Sequence, residues 1–180
     1  MTDRIVLVNG LPGSGKTTLA TALAGRLGAP MFAKDAIKEA VADTLPGVVV
    51  PGLGAAVMDL VWRLAATTPG LVIVESWWFA PRDRQLVCDG LRRCDGPAVV
   101  ELWCDVPAGL ARRRFAGRRR HPVHDDARRL AEDWDVWAAS AGPLGVGEVL
   151  RIPTDGPVDI AGTASRVMAA FGGATPQTAC

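Results

Sequence analysis

Short apolar runs alternate with amphipathic stretches from one end of this chain to the other. Ile5-Val6-Leu7-Val8 is the first run and has the character of a buried parallel strand. Thr17 to Leu27 follows, with Leu19, Leu23 and Leu27 four residues apart on one helix face. Gly28-Ala29-Pro30 punctuates its end. Met31-Phe32-Ala33 predicts a second, very short strand. Asp35 then reads as the N-cap of a helix from Ala36 to about Thr44, because its carboxylate can accept from free N–H groups there. Leu45 to Gly54, with its prolines and glycines, is a connection. Ala55 to Thr67 predicts a helix with Val57, Leu60, Val61 and Leu64 on the buried side.

Leu71-Val72-Ile73-Val74-Glu75 is an apolar run that ends in a carboxylate, followed by Ser76-Trp77-Trp78-Phe79. Pro81 suits a first helical position, and Arg82 to Arg93 continues as a helix. Ala98 to Cys104 is a fourth strand, and Asp105-Val106-Pro107 leads a helix to about Arg118. Arg119 to His124 reads as irregular because of Pro122, and Asp125 to Ala139 as one helix. Gly142 to Gly147 is a loop, Glu148 to Ile152 the last strand and Asp159 to Phe171 the last helix. Residues 172–180 read as a frayed tail. The pattern predicts a single α/β domain over residues 1–180 with a mainly parallel sheet. Such sheets bind ligands outside the carboxyl ends of their strands, which singles out Asp35, Glu75 to Phe79, Asp105 and Pro153 to Gly156.

Composition narrows the class. Of 180 residues, 49% are hydrophobic and the net charge is +1, so a globular domain is expected and a global nucleic-acid signature is lacking. No apolar run approaches membrane-spanning length. Met1-Thr2-Asp3-Arg4 leads straight into the first strand, which points to the cytoplasm. Cys88, Cys94, Cys104 and Cys180 have no metal-ligand spacing and are expected to be reduced. Charge is uneven, however. Arg112, Arg113, Arg114, Arg118, Arg119, Arg120, Arg128 and Arg129 crowd into one stretch against Asp125 and Asp126.

The chemistry starts at Gly10-Leu-Pro-Gly-Ser-Gly-Lys-Thr17, the G-x-x-x-x-G-K-[ST] phosphate-binding loop, set between a strand and a helix as that motif requires. Gly10, Pro12, Gly13, Ser14 and Gly15 let the backbone curl so that N–H groups converge on phosphate oxygens. The helix start at Lys16, Thr17 and Thr18 adds its positive end. Lys16 supplies a cation to the β- and γ-phosphates and Thr17 a hydroxyl to Mg²⁺. Asn9 is the only asparagine, so the N-K-x-D guanine-reading motif of switch GTPases is missing. The chain is also short for a mechanical ATPase.

A small kinase needs a base for the accepting hydroxyl and a basic lid over the phosphates. Asp35 is placed for the first role, with helix capping as its structural alternative. Glu75 could order Mg²⁺ through water, hold the substrate, or partner Lys16 or Thr17. The lid is expected over residues 112–128, with Arg114 and Arg118 on one helix face. Arg114, Arg118 and Arg120 are the favoured phosphate ligands, and the other arginines are expected to be solvated. Trp77, Trp78 and Phe79 cannot all face one core, so at least one is expected to line an acceptor pocket, with Arg82 or Arg84 adding a polar contact. His121 and His124 read as turn residues that position the lid, or as metal ligands with Asp125 or Asp126.

Three segments together, Asn9 to Thr18, Lys34-Asp35-Ala-Ile37-Lys38-Glu39 and Arg120-His121-Pro122-Val123-His124, resemble small P-loop kinases of the AAA_33 type. That group is similar to chloramphenicol phosphotransferases and, more distantly, to zeta toxins, gluconate kinases and shikimate kinases. The resemblance implies a P-loop NTPase three-layer sandwich with strand order 2-3-1-4-5, ATP as donor and a hydroxyl-bearing acceptor. It also implies that Asp35 activates the acceptor, that Arg118 and Arg120 are lid arginines, and that Pro153-Thr154-Asp155 contacts adenine. Val123 stands where that pattern has glycine. The expected activity is Mg-ATP-dependent O-phosphorylation of a small molecule, an antibiotic or specialised metabolite first and a nucleoside or sugar second. A polynucleotide-end kinase and a slowly hydrolysing regulatory module are the alternatives. Oligomeric state is not legible.

Overall fold

The computed structural model describes residues 2–173 and 180. Five parallel strands form one sheet in the order β2-β3-β1-β4-β5, where β1 is Thr2–Asn9, β2 Met31–Ala33, β3 Gly70–Glu75, β4 Ala98–Asp105 and β5 Glu148–Pro153. The expected strand order is therefore the observed one. Alternate residues of each strand point to opposite faces. Ile5, Leu7, Val72 and Val74 pack on one side with Val57, Val61, Trp62, Val87 and Leu91. Val6, Val8, Ile73, Val100 and Leu102 pack on the other with Leu19, Leu23, Ala164 and Val167. The first side is covered by α3 (Leu53–Thr67) and α4 (Ala80–Arg93), the second by α1 (Lys16–Leu27) and α8 (Ile160–Gly173).

The register fixes the site. Asn9 pairs with Trp103, and Ala33 and Val8 both pair with Glu75. The phosphate-binding loop after β1, the Asp35 segment after β2 and the aromatic segment after β3 thus leave the sheet at one level. A third, smaller apolar cluster of Leu11, Ala111, Phe115, Trp134 and Trp137 binds the arginine-rich region to the loop. Its helices are α5 (Ala108–Gly117), α6 (Asp126–Glu132) and α7 (Trp134–Ser140), with a 3₁₀ turn at Pro122–His124.

Several sequence expectations need correction. α2 spans Lys34–Asp43, so Asp35 lies inside its first turn and caps nothing; Ala33 holds the N-cap position. In α3 the buried residues are Val57, Val61, Trp62 and Ala65, whereas Leu60 and Leu64 are 40% and 37% exposed. Trp62 displaces them because it reaches across to Gly90 of α4, where a Cβ would come within 2.2 Å of the indole. Pro81 is the second, not the first, residue of α4. The helix expected over 125–139 breaks at Asp133 into α6 and α7. Gly172 and Gly173, expected to fray, belong to α8, and the rest of the expected tail over 174–179 lies outside the described residues. Cys180 is disulfide-bonded to Cys88, against the expectation that all four cysteines are thiols. Cys94 and Cys104 are free and buried, and burial raises their thiols to about 11 and about 12.

Candidate active site

The loop between β1 and α1 is shaped by its glycines at two points. Gly15 has a left-handed φ of 91° and forms the N-cap of α1 without any side-chain cap, which leaves the helix's first N–H groups available to an anion. Gly13, also left-handed, meets α5 so closely that a Cβ would come within 2.2 Å of the Ala111 carbonyl. The loop and the arginine-rich region are therefore in backbone contact. Lys16 is buried, and its Nζ donates to the Gly10 and Leu11 carbonyls at 2.9 and 3.0 Å. Burial pulls its pKa down, opposed by the nearby Glu75.

Glu75 is only 2% exposed. Burial pushes its carboxyl up, while Lys16 and a hydrogen bond with the Thr17 side chain act to lower it. Lys16 and Thr17 are thus both neighbours of Glu75. Asp35 faces the same space. Burial works to raise its carboxyl, but the Arg120 guanidinium paired with it outweighs burial and holds it below the usual carboxylate value.

The segment after α5 and α2 are joined by a row of polar contacts. Arg120 reaches Glu39 at 3.4 Å as well as Asp35, and Asp126 at 3.8 Å. His124 is buried, with Nε2 2.7 Å from Glu39 and Nδ1 3.9 Å from Asp35. Burial, then Arg120, lowers its pKa, so the neutral ring carries its hydrogen on Nε2 and donates it to Glu39. His121 accepts from the Val123 N–H through Nδ1 at 3.1 Å and therefore donates through Nε2 to Asp43, also at 3.1 Å. Lys38 donates to the Val123 carbonyl at 2.8 Å. The turn closes with valine at 123 because the left-handed residue is Asp125, with φ 52°. Both histidines thus tie the turn after α5 to α2. Among the described residues, no group of three His, Cys, Asp or Glu gathers as a metal site.

Arg114 and Arg118 do not share a helix face, because α5 ends at Gly117 and Arg118 is extended. Arg114 instead donates to the Thr154 and Asp155 carbonyls at 2.9 and 3.1 Å, and Thr154 is tied through its N–H to the Asp105 carbonyl. Arg114 thereby holds the loop after β5 against the phosphate-binding loop, where a Cβ on Gly15 would lie 3.8 Å from Thr154. Arg118 lies over the Phe115 ring at 4.5 Å and donates to Asp126 at 3.0 Å.

A cavity of about 390 Å³ brings many of these groups together. Pro12, Lys16, Thr17, Asp35, Glu75, Trp77, Trp78, Arg82, Arg118 and Arg120 all line it. Phe79 does not line it and packs instead in the third apolar cluster, 6.1 Å from Trp77. Trp78 is buried on the α3–α4 side, stacked with Trp62 at 6.5 Å. Trp77 turns toward the lid, edge-on to Trp137 at 5.8 Å and 6.0 Å from Lys16 Nζ. Arg82 makes two 2.7 Å bonds to Asp83. Arg84 donates to the Leu144 carbonyl.

Sequence reasoning missed one group that shapes the site. Glu101, fully buried in β4, accepts from the Leu144 and Gly145 N–H groups at 2.8 and 2.9 Å and from Asn9 at 3.2 Å. Asn9 accepts from the Gly10 and Trp78 N–H groups and donates to the Trp78 carbonyl. These bonds lock the phosphate-binding loop to the aromatic segment. The signal was a glutamate in the middle of an apolar strand, a residue that survives burial only with several donors.

The model of the AAA_33 family, described as an AAA domain, matches residues 5–144. Among curated proteins, none matches the chain. Among solved structures, the chain is similar to a candidate kinase from Chloroflexus aurantiacus j-10-fl at 24% identity and TM-score 0.76, covering 94% of this chain and 99% of that one. It is also similar to shikimate kinase from Bacteroides thetaiotaomicron at 19% identity and TM-score 0.60, covering 94% and 98%. A tunicamycin resistance protein from Deinococcus radiodurans matches at 21% identity and TM-score 0.55, covering 97% and 98%. The architecture is that of small P-loop kinases. The family match spans most of the chain, and the protein belongs to the AAA_33 family.

Proposed function

We propose that this protein is an ATP-dependent O-phosphotransferase acting on a hydroxyl of a small molecule. One observation carries the reading: Lys16 and Thr17, the carboxylate of Asp35, and Arg118 and Arg120 all open on a single cavity large enough for a small ligand. The uncapped start of α1 and the buried ammonium of Lys16 suit a triphosphate. Gly10 to Thr18 would hold its phosphates, and Arg114 with Pro153, Thr154 and Asp155 would flank its base. Mg²⁺ would be held by Thr17, with Glu75 hydrogen-bonded behind it, and would neutralise charge on the β- and γ-oxygens.

Asp35 is ionised and takes the proton of the acceptor hydroxyl. The hydroxyl oxygen bonds the γ-phosphorus as the bond to the β-phosphate oxygen breaks, and ADP is the leaving group. Arg118 and Arg120 face the charge that spreads over the transferring group. The lid, clasped to α2, excludes the water that would otherwise accept it. Trp77, Trp78 and Arg82 frame the acceptor.

Two arginines of the stretch that line the cavity are paired, Arg118 with Asp126 and Arg120 with Asp35 and Glu39, and Arg128 is paired with Asp125 and Glu132. That pairing favours a small acceptor over a polynucleotide end, which would need free phosphate ligands. An antibiotic or specialised metabolite fits an aromatic-floored cavity. Among the described residues no helix is long and apolar enough to cross a membrane, and a cytoplasmic place is part of this reading. The test is transfer of labelled γ-phosphate to members of a hydroxylated metabolite library. Label found only as inorganic phosphate would reject the reading.

A further inference from the structure

The acceptor side of the cavity carries more cationic donors than phosphate transfer uses. Lys16, Arg118 and Arg120 are accounted for above. Lys34 and Arg129 are not, yet both line the same cavity. Lys34 makes no ion pair among the described residues, and its Nζ lies against the start of α3, 3.9 Å from where a Cβ on Gly54 would stand. The charges around it are Asp35, Asp83, Arg82 and Arg129. Of the two carboxylates, Asp35 is engaged by Arg120, and Asp83 by Arg82 and the Phe79 N–H.

Two further donors point the same way. Arg129 Nε and the Trp77 indole N–H are both buried without a hydrogen-bond partner. A buried donor left unmatched is costly, and an ammonium, a guanidinium and an indole N–H have no acceptor capacity between them. Their common complement is an anion. The N-terminal end of α3, reaching the cavity at Gly54 and Ala55, has the same sign. Met58, Trp62, Trp78 and Leu86 supply apolar wall beside these donors, Leu86 60% exposed at the rim, while the lining carboxylates Asp83 and Asp126 are engaged by Arg82 and Arg118.

We propose that the acceptor is a hydroxylated carboxylic acid with an apolar frame. Its carboxylate is taken by Lys34 and Arg129, its frame lies along the Trp62–Trp78 stack, and its hydroxyl reaches Asp35. This rests on the kinase reading, but the carboxylate site can be tested without phosphoryl transfer.

The experiment is calorimetric binding of a panel of aryl and alicyclic carboxylates, each paired with its primary amide, indole-3-acetate with indole-3-acetamide among them. None needs a hydroxyl. The best acids are expected to bind at least about tenfold more tightly than their amides, as a charge-assisted contact does. Lys34→Met and Arg129→Met, checked for folding by thermal melting, should each remove most of that preference. If no acid binds more tightly than its amide, or if the preference survives in both variants, the inference is wrong. An acid preference without phosphorylation of any hydroxylated acid would instead overturn the kinase reading and leave the carboxylate site standing.

Discussion

Arg120, from the turn after α5, closes onto Asp35, which lies in the first turn of α2 and 85 residues earlier in the chain. One ion pair thereby ties the lid to the candidate base. It keeps the carboxylate ionised in a site whose burial would otherwise raise it. It also means that the lid arginine and the base are set by one contact.

Arg120→Ala should therefore do two things. It should slow phosphoryl transfer, by up to about 10³-fold if the guanidinium meets the transferring group. It should also free Asp35 from the charge that lowers its pKa, so the acid limb of kcat/KM moves to higher pH. A pH–rate profile of the variant against wild type reads both effects.

The strands, the phosphate-binding loop and the position of Glu75 at the end of β3 were legible in sequence, because each rests on local pattern, whereas the sheet order came from the resemblance to small P-loop kinases. Apolar runs mark strands, and a fixed motif marks the loop between β1 and α1. What was not legible depends on contacts between distant segments. Leu60 lost its buried place to Trp62 because of Gly90 in another helix. Arg114 turned to the Thr154 and Asp155 carbonyls, and Phe79 left the cavity for the lid cluster. Spacing along a helix cannot report either partner.

Glu101→Ala should strip the acceptor from Asn9, Leu144 and Gly145 together. Leaving the buried Leu144 and Asn9 donors short of an acceptor should cost about 2–3 kcal/mol. Urea unfolding measures it, and nucleotide affinity should fall as well because Asn9 anchors the start of the phosphate-binding loop.

Gly90→Ala should force Trp62 from its place in the core, since the new Cβ would meet the indole at 2.2 Å. A loss of about 1–3 kcal/mol is expected. Acceptor KM should rise more than ATP KM, because Trp62 lines the acceptor end of the cavity.

His124 gives a pH dependence of known sign. Burial and Arg120 lower its pKa below the ordinary value of about 6.5, while Asp35 and Glu39 partly oppose them and Lys38 adds to them. The folded state therefore resists protonation that the unfolded chain accepts. Its contribution to stability is full above pH of about 6.5 and is lost as pH falls below that value. The Tm advantage of wild type over His124→Gln should shrink between pH 7.5 and pH 5.5, values chosen to bracket that ordinary pKa of about 6.5. A constant gap would show that the ring is not held neutral.

The most direct measurement follows the products of Mg-ATP turnover by phosphorus NMR, using acceptors found by screening for stimulated ADP release. A phosphate monoester on the acceptor should appear in step with ADP, and Asp35→Asn should slow it by about 10²–10⁴-fold. Inorganic phosphate as the sole product, formed at one rate with or without acceptor and indifferent to Asp35→Asn, would contradict the account.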